Sequence, residues 1–227
     1  MIAPSAAHAD DCNALFTSIA DGIATNGFSI IPAALPADLS QLLATHIATM
    51  PTSHFKRAGI GRGAEHSIND VVRTDTISWI NRDDAAGKAW LDWTQSLQLF
   101  LNRTLFLGLF SFESHFAHYA KGDFYKKHKD AFVGEGNRIL SVVVYLNQYW
   151  SKDDGGELVL YVNQQSTSAG KDDHVISVTP GFGTVVVFLS EQFPHEVLAA
   201  RRDRFSIAGW FRLSDGVSSN IEPLIER

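Results

Sequence analysis

Cysteine is almost missing from this chain: Cys12 stands alone among 227 residues. No intramolecular disulfide can form, so the fold must be held by its core, and a reducing, cytoplasmic setting is expected. An excess of positive charge is also missing. The 19 Lys and Arg are outnumbered by 25 Asp and Glu, for a formal net charge of −6, which argues against general nucleic-acid binding. No apolar run is long enough to span a bilayer. The opening MIAPSAAHADDC has an A-x-A-like triplet at Ala7–Ala9 but neither the basic start nor the apolar run of a secretory leader. There is no internal repeat and no low-complexity tract.

What is present is apolar content of 45%, enough for a sizeable core. The length suits a single domain over residues 1–227. Its first part reads as helical support, over about residues 10–103, and its second as a strand-rich core over about 105–213. Leu15, Ile19 and Ile23 recur at helical spacing, and Asn26-Gly27 is a helix stop. Phe28 to Ile31 reads as a short strand. Pro36-Ala37-Asp38 opens a second helix with Leu39, Leu42, Leu43, Ile47 and Met50 on one side. Periodicity then fails from Pro51 to about Val72, a segment containing Gly59, Gly61, Arg62, Gly63 and His66. Aperiodic stretches of that kind are often binding loops or lids. RTDTISWI, Arg73 to Ile80, reads as a strand in which Asp75 has the look of a surface turn residue. Asp83 to about Arg103 reads as a third helix with an apolar stripe of Trp90, Trp93, Leu97, Phe100 and Leu101.

From Phe106 onward short strands follow one another: Ile139 to Asn147, Glu157 to Tyr161 after the turn Asp153-Asp154-Gly155-Gly156, His174 to Val178, Thr184 to Leu189 after Pro180-Gly181, and Ser206 to Arg212. Helices first and turn-linked strands afterwards predict an α+β fold with an antiparallel double-stranded β-helix, or jelly-roll, core. The mouth of such a barrel is a natural ligand site.

The chemistry-bearing stretch is YAKGDFYKKHKDA, Tyr119 to Ala131, with its distant partner FPHEVLAARRDRFSIAGWF, Phe193 to Phe211. The first carries His128 and Asp130 in an H-x-D pair. In an extended strand, residues i and i+2 point to the same side, so the pair can grip one ion, with His195 closing from a neighbouring strand. Two imidazoles and one carboxylate on one face of an octahedron, with the opposite face open, are the ligand set of a non-haem Fe(II) oxygenase. Nine residues beyond His195 comes Arg204, whose permanent charge and bidentate geometry suit the distal carboxylate of 2-oxoglutarate. The bland reading of Arg204 is a surface ion pair, given Arg201 and Arg202 beside it. His66, His115, His118 and His174 are read as non-ligands, because the triad is complete without them. Lys126, Lys127 and Lys129 read as a solvated basic rim.

These blocks resemble the bacterial branch of the prolyl hydroxylase domain family, similar to the enzymes that hydroxylate hypoxia-inducible factor. RTDTISWI, FYKKHKD, RILSVVVYLNQYW followed by DDGGELVLY, and PHEVLAARRDRFSIAGWF match in order, from about Arg73 to Arg212. The resemblance implies a 2-oxoglutarate-dependent dioxygenase with Fe(II) on His128, Asp130 and His195, which uses O₂, with ascorbate as an accessory reductant. It implies 2-oxoglutarate held by Arg204 and Tyr145, with Tyr119 nearby and Val197 and Trp210 lining the pocket. Asp75, Arg73 and Arg138 match a polar layer behind the site, and Tyr125 matches a tyrosine on the substrate side. Departures are a Tyr119–His128 segment one residue shorter, Ala208 where the animal enzymes carry a hydroxyl, and a short stretch after the last strand. The implied substrate is a proline in an exposed loop of a protein, with elongation factor Tu as candidate. Alternatives left open are a hydroxylase of a small molecule such as free proline, and a cupin-like metal-binding module without catalysis.

Overall fold

The order of elements follows from where apolar residues recur every three to four positions and where they alternate. In the computed structural model, residues 6–59, 69–131, 137–162 and 174–214 are described, with side chains from Cys12 onward. Three α-helices lie in the first half of the chain, interleaved with its first three strands: α1 (Ala6–Asn26), α2 (Ala37–Thr49) and α3 (Ala85–Leu105). The strands are β1 (Phe28–Ile31), β2 (Lys56–Arg57), β3 (Thr76–Trp79), β4 (Ser111–Tyr119), β5 (Tyr125–His128), β6 (Arg138–Tyr145), β7 (Leu158–Val162), β8 (His174–Val178), β9 (Val185–Leu189), β10 (His195–Val197) and β11 (Arg204–Arg212). They form a seven-stranded sheet in the order β1-β9-β6-β11-β4-β3-β2 and a four-stranded sheet in the order β5-β10-β7-β8. Every pairing within these sheets is antiparallel. This is the double-stranded β-helix that the pattern predicts.

Each helix is where its stripe places it. Gly27, at φ 79°, ends α1 in the left-handed conformation that glycine adopts without strain. Asp84 caps α3, its carboxylate accepting from Gly87 N at 2.8 Å. Phe16, Ile19 and Ile23 of α1, Leu39, Leu43 and Ile47 of α2, and Trp90, Leu97 and Leu101 of α3 are buried in one cluster. The same cluster takes Leu140, Val142 and Val144 from β6, Val185 and Val187 from β9, and Ile207 and Phe211 from β11. The helices therefore cover one face of the large sheet.

Alternate residues of the same strands face the other way. Tyr145, Val186, Phe188, Ala117 and Tyr119 join Leu158, Leu160, Val178 and Val197 of the small sheet in a second cluster between the sheets. Arg204, Ser206, Ala208 and Trp210 on β11 are one such alternate set, and they line the cavity described below.

Three expectations need correction. The strand expected over Arg73–Ile80 is shorter, Thr76–Trp79, and Arg73 makes only an isolated bridge to Tyr125. Asp75 is no surface turn residue: it is fully buried, because Arg73 Nε and Nη2 donate to its two carboxylate oxygens at 2.8 and 2.6 Å. The H-x-D pair does not lie in one strand either. β5 stops at His128 and the chain bends, so Asp130 reaches across to β6. The middle of the aperiodic stretch, residues 60–68, including Gly61, Arg62, Gly63 and His66, lies outside the described residues, and the lid expectation rests on it.

Candidate active site

Three ligating side chains converge where the two sheets meet. His128 ends β5, His195 begins β10, and the two are paired directly in the ladder between those strands. Asp130 follows the end of β5. One ligand atom from each of the three lies within 4.8 Å of the others. His128 Nε2 is 3.7 Å from Asp130 Oδ1, and His195 Nε2 is 3.6 Å from Asp130 Oδ2.

The tautomers are set by the backbone. His128 Nδ1 lies 2.8 Å from the carbonyl of Lys126, and His195 Nδ1 lies 3.0 Å from that of Phe193. A carbonyl only accepts, so each Nδ1 carries a proton and each ring turns Nε2 to the centre, the nitrogen that is then left to ligate a metal. Ser141 Oγ on β6 donates to Asp130 Oδ2 at 2.6 Å and fixes the carboxylate from behind. Burial pushes Asp130 up, but the His195 and His128 imidazoles and the Ser141 hydrogen bond outweigh it and hold the carboxyl below its usual range. Burial, then the neighbouring His195, pushes His128 down to about 3. A divalent ion is held by imidazoles in their neutral form and an ionised carboxylate.

The His128 ring is stacked. Tyr125 lies over it at 3.5 Å between centroids and 14° between planes. Arg73 in turn sits 4.2 Å from the Tyr125 centroid while it holds buried Asp75. The polar layer of Arg73 and Asp75 thus supports the face of one imidazole. Arg138 lies 3.6 Å over the Trp210 ring and pairs with Glu113 at 2.7 Å.

Arg204, at the start of β11, is 1% exposed, which rules out the surface ion pair. Its Nε donates to Gly156 O at 2.9 Å and its Nη1 to Ser206 Oγ at 3.2 Å. No acidic side chain pairs with it among the described residues. Its guanidinium carbon lies 4.9 and 5.0 Å from the ring centroids of Tyr119 and Tyr145. The Tyr145 hydroxyl is buried and makes no hydrogen bond of regular geometry, although the Arg204 guanidinium lies close enough to act on it. Burial pushes this phenol up to about 12, against the pull of Arg204, so it stays a donor. A buried cation without a counter-ion beside a hydroxyl without a regular hydrogen bond is costly unless an anion arrives. The pair therefore fits a small carboxylate ligand.

The cavity joining these groups has a volume of about 960 Å³. His128, Asp130, His195, Arg204, Tyr119, Tyr125, Val197, Arg73, Arg138 and Trp210 line it, while Tyr145 and Asp75 lie fully buried. Every sequence-predicted site residue is thus at the cavity or packed directly behind it. Sequence reasoning missed Ser141, Ser206, Gly156 and Trp79, and set His115 aside. A signal for the last existed: His115, Ala117 and Tyr119 alternate along β4 and face the cavity together.

A barrel of two antiparallel sheets with two histidines and a carboxylate at its mouth defines the class of non-haem iron oxygenases. Comparison with known proteins agrees. Residues 114–212 match the 2OG-Fe(II) oxygenase superfamily. A prolyl-4-hydroxylase from Pseudomonas putida is 36% identical over 88% of this chain and 99% of that one, with a TM-score of 0.76. A prolyl hydroxylase from Trichoplax adhaerens, solved with a peptide fragment of the hypoxia-inducible factor oxygen degradation domain, is 25% identical over 92% and 94% of the two chains, with a TM-score of 0.76. A viral collagen prolyl hydroxylase from Paramecium bursaria Chlorella virus-1, in its 2-oxoglutarate complex, shares the fold at 15% identity and a TM-score of 0.55, over 84% and 98%. The chain belongs to the 2OG-Fe(II) oxygenase superfamily. It is a prolyl hydroxylase-like dioxygenase that works with Fe(II), 2-oxoglutarate and O₂.

Proposed function

We propose that this enzyme hydroxylates a prolyl residue presented on a protein loop. In this reading His128 Nε2, a carboxylate oxygen of Asp130 and His195 Nε2 hold the iron, and Arg204 with Tyr145 holds the distal carboxylate of 2-oxoglutarate. Arg204 is the observation that carries it: a cation 1% exposed, without an acidic partner among the described residues, in the cavity that also holds the triad. With iron bound, the chemistry supplied is the oxidation of 2-oxoglutarate to succinate and CO₂ by O₂, with one oxygen atom delivered to a substrate C–H.

The chain's own residues bind, orient and exclude water. Tyr145 Oη donates to the carboxylate that Arg204 neutralises. Val197, Leu158 and Trp210 give the site apolar walls that limit solvent. Tyr125 and Arg73 hold the His128 imidazole in plane, and Ser141 keeps Asp130 turned to the centre. No side chain has to act as a nucleophile, so Cys12 has no part.

The prolyl substrate is supported by the 36% identity to the Pseudomonas putida prolyl-4-hydroxylase. Proline suits such a site because its fixed φ limits the entropy lost on docking. Elongation factor Tu is the candidate protein, named by resemblance to bacterial enzymes of this type. Lys126 and Lys129, exposed beside the triad, favour an acidic partner surface. The experiment incubates enzyme, Fe(II), 2-oxoglutarate and ascorbate with elongation factor Tu and examines its prolyl peptides by mass spectrometry for one added oxygen. A single hydroxylated proline is expected. Unmodified peptides together with brisk turnover of free proline would replace the protein substrate with a small one.

A further inference from the structure

His115 is the buried, titratable side chain of the cavity that the proposed chemistry leaves unused. It sits in the middle of β4, in register with Trp79 on β3 and Ala208 on β11, and it is 4% exposed. Its ring stands edge-on to Trp79 at 5.3 Å and tilted against Trp210 at 5.5 Å. Nδ1 lies 3.3 Å from the carbonyl of Phe116, which places the proton on Nδ1 and the lone pair on Nε2. Burial first, and then the charge of Arg73, pushes this imidazole down to about 4, so it is neutral near pH 7.

Nε2 has no protein partner among the described residues. Its cross-strand neighbour Ala208 offers only a methyl group. Among the described residues that line the cavity, Asp130 is the single acidic one, and the other charged ones are Lys56, Arg57, Arg73, Lys129, Arg138 and Arg204. His115 is therefore a neutral acceptor in a cavity walled largely by donors. 2-Oxoglutarate carries no N–H and cannot satisfy it. A prolyl residue within a chain has no N–H of its own either. The nearest N–H in the covalent structure belongs to the residue that follows.

We propose that His115 Nε2 accepts the backbone N–H of the residue after the target proline, and that this contact sets the direction in which a substrate chain crosses the site. The inference rests on the prolyl reading above and deepens it. Trp79, 57% exposed at the cavity mouth, holds the imidazole from the open side.

The probe is the prolyl peptide that releases succinate fastest in a screen that begins with loop peptides of elongation factor Tu. Its pair is the same sequence with an ester oxygen in place of the amide N–H after the proline. With wild-type enzyme the ester should lower kcat/KM roughly tenfold, the scale of one hydrogen bond to a buried acceptor. His115→Met should lose a similar factor on the amide peptide, mainly through KM, and lose nothing further on the ester. His115→Gln, which keeps an acceptor, should recover part of the loss. Thermal denaturation checks that both variants are folded, and the wild-type comparison decides even without them. Equal kinetics of amide and ester with wild-type enzyme overturn the contact while leaving prolyl hydroxylation intact. An equal ester penalty in wild type and His115→Met assigns the N–H to another acceptor and overturns it too. Turnover of free proline with no turnover of any prolyl peptide sinks the prolyl reading, and this inference falls with it.

Discussion

Arg204 shows how much one side chain decides. Sequence spacing leaves it between an ion pair on the surface and a ligand for a carboxylate. Burial at 1% exposure and hydrogen bonds to Gly156 O and Ser206 Oγ exclude the surface ion pair, and together with the buried hydroxyl of Tyr145 they support the proposed ligand role. Removing the guanidinium leaves the distal carboxylate of 2-oxoglutarate unpaired in a partly dry site, a loss on the order of 3–5 kcal/mol. Arg204→Ala should therefore raise the KM for 2-oxoglutarate by about a hundredfold or more. Steady-state succinate release measures it, and an unchanged KM would remove Arg204 from the cosubstrate site. Asp75 makes the opposite point. Its sequence context resembles a turn, yet the bidentate pair with Arg73 lets it be fully buried.

At the scale of elements, the turn that leads into β7 is coupled to the site. A 3₁₀ turn over Lys152–Asp154 is closed by a capping box of Ser151 and Asp154, and Gly155-Gly156 follows with both φ values positive. A Cβ on Gly156 would meet Ala200 Cβ at 2.9 Å and Arg204 Cδ at 3.2 Å, in a backbone conformation at φ 72° that disfavours any side chain. Gly156→Ala should cost about 2 kcal/mol of stability, through left-handed strain and crowding. It should also raise the KM for 2-oxoglutarate by displacing Arg204, with the triad untouched. Denaturant titration and succinate kinetics read the two effects. A variant with normal cosubstrate KM would mean that Arg204 is positioned without help from this turn.

For the whole molecule, the site lies where the sheets meet, so whatever fills it should tie them together. In the proposed site, residues of β5 and β10 in the small sheet and of β6 and β11 in the large one would supply the ion and carboxylate positions. Binding only to the folded state stabilises by mass action, about 2.7 kcal/mol at a hundred times Kd. Mn(II) with 2-oxoglutarate should accordingly raise the thermal midpoint by roughly 5–10 °C for a domain of this size. Asp130→Ala should abolish the Mn(II)-dependent part of that rise. A full shift in the variant would place the metal elsewhere. No helix among the described residues is long and apolar enough to cross a membrane, and the outer faces of the helices carry the polar side of their stripes.

The sequence by itself determined the local elements and the order of the blocks, and it singled out His128, Asp130 and His195, which the fold brings together. Helical stripes and strand alternation are properties of neighbouring residues, so α1, α2, α3 and most strands were legible within a few positions. Ser206 to Arg212 was legible as a strand, but that the strand begins at Arg204, which shares a face with Ser206, Ala208 and Trp210, came from the structure. Tertiary structure alone decided what those faces meet. The pairing of His128 with His195, the reach of Asp130 to Ser141, the stack of Arg73 on Tyr125 on His128, and the unpartnered nitrogen of His115 all depend on strand register between segments far apart in the chain. That register is set by the packing of two sheets and three helices around shared cores, and no local period encodes it.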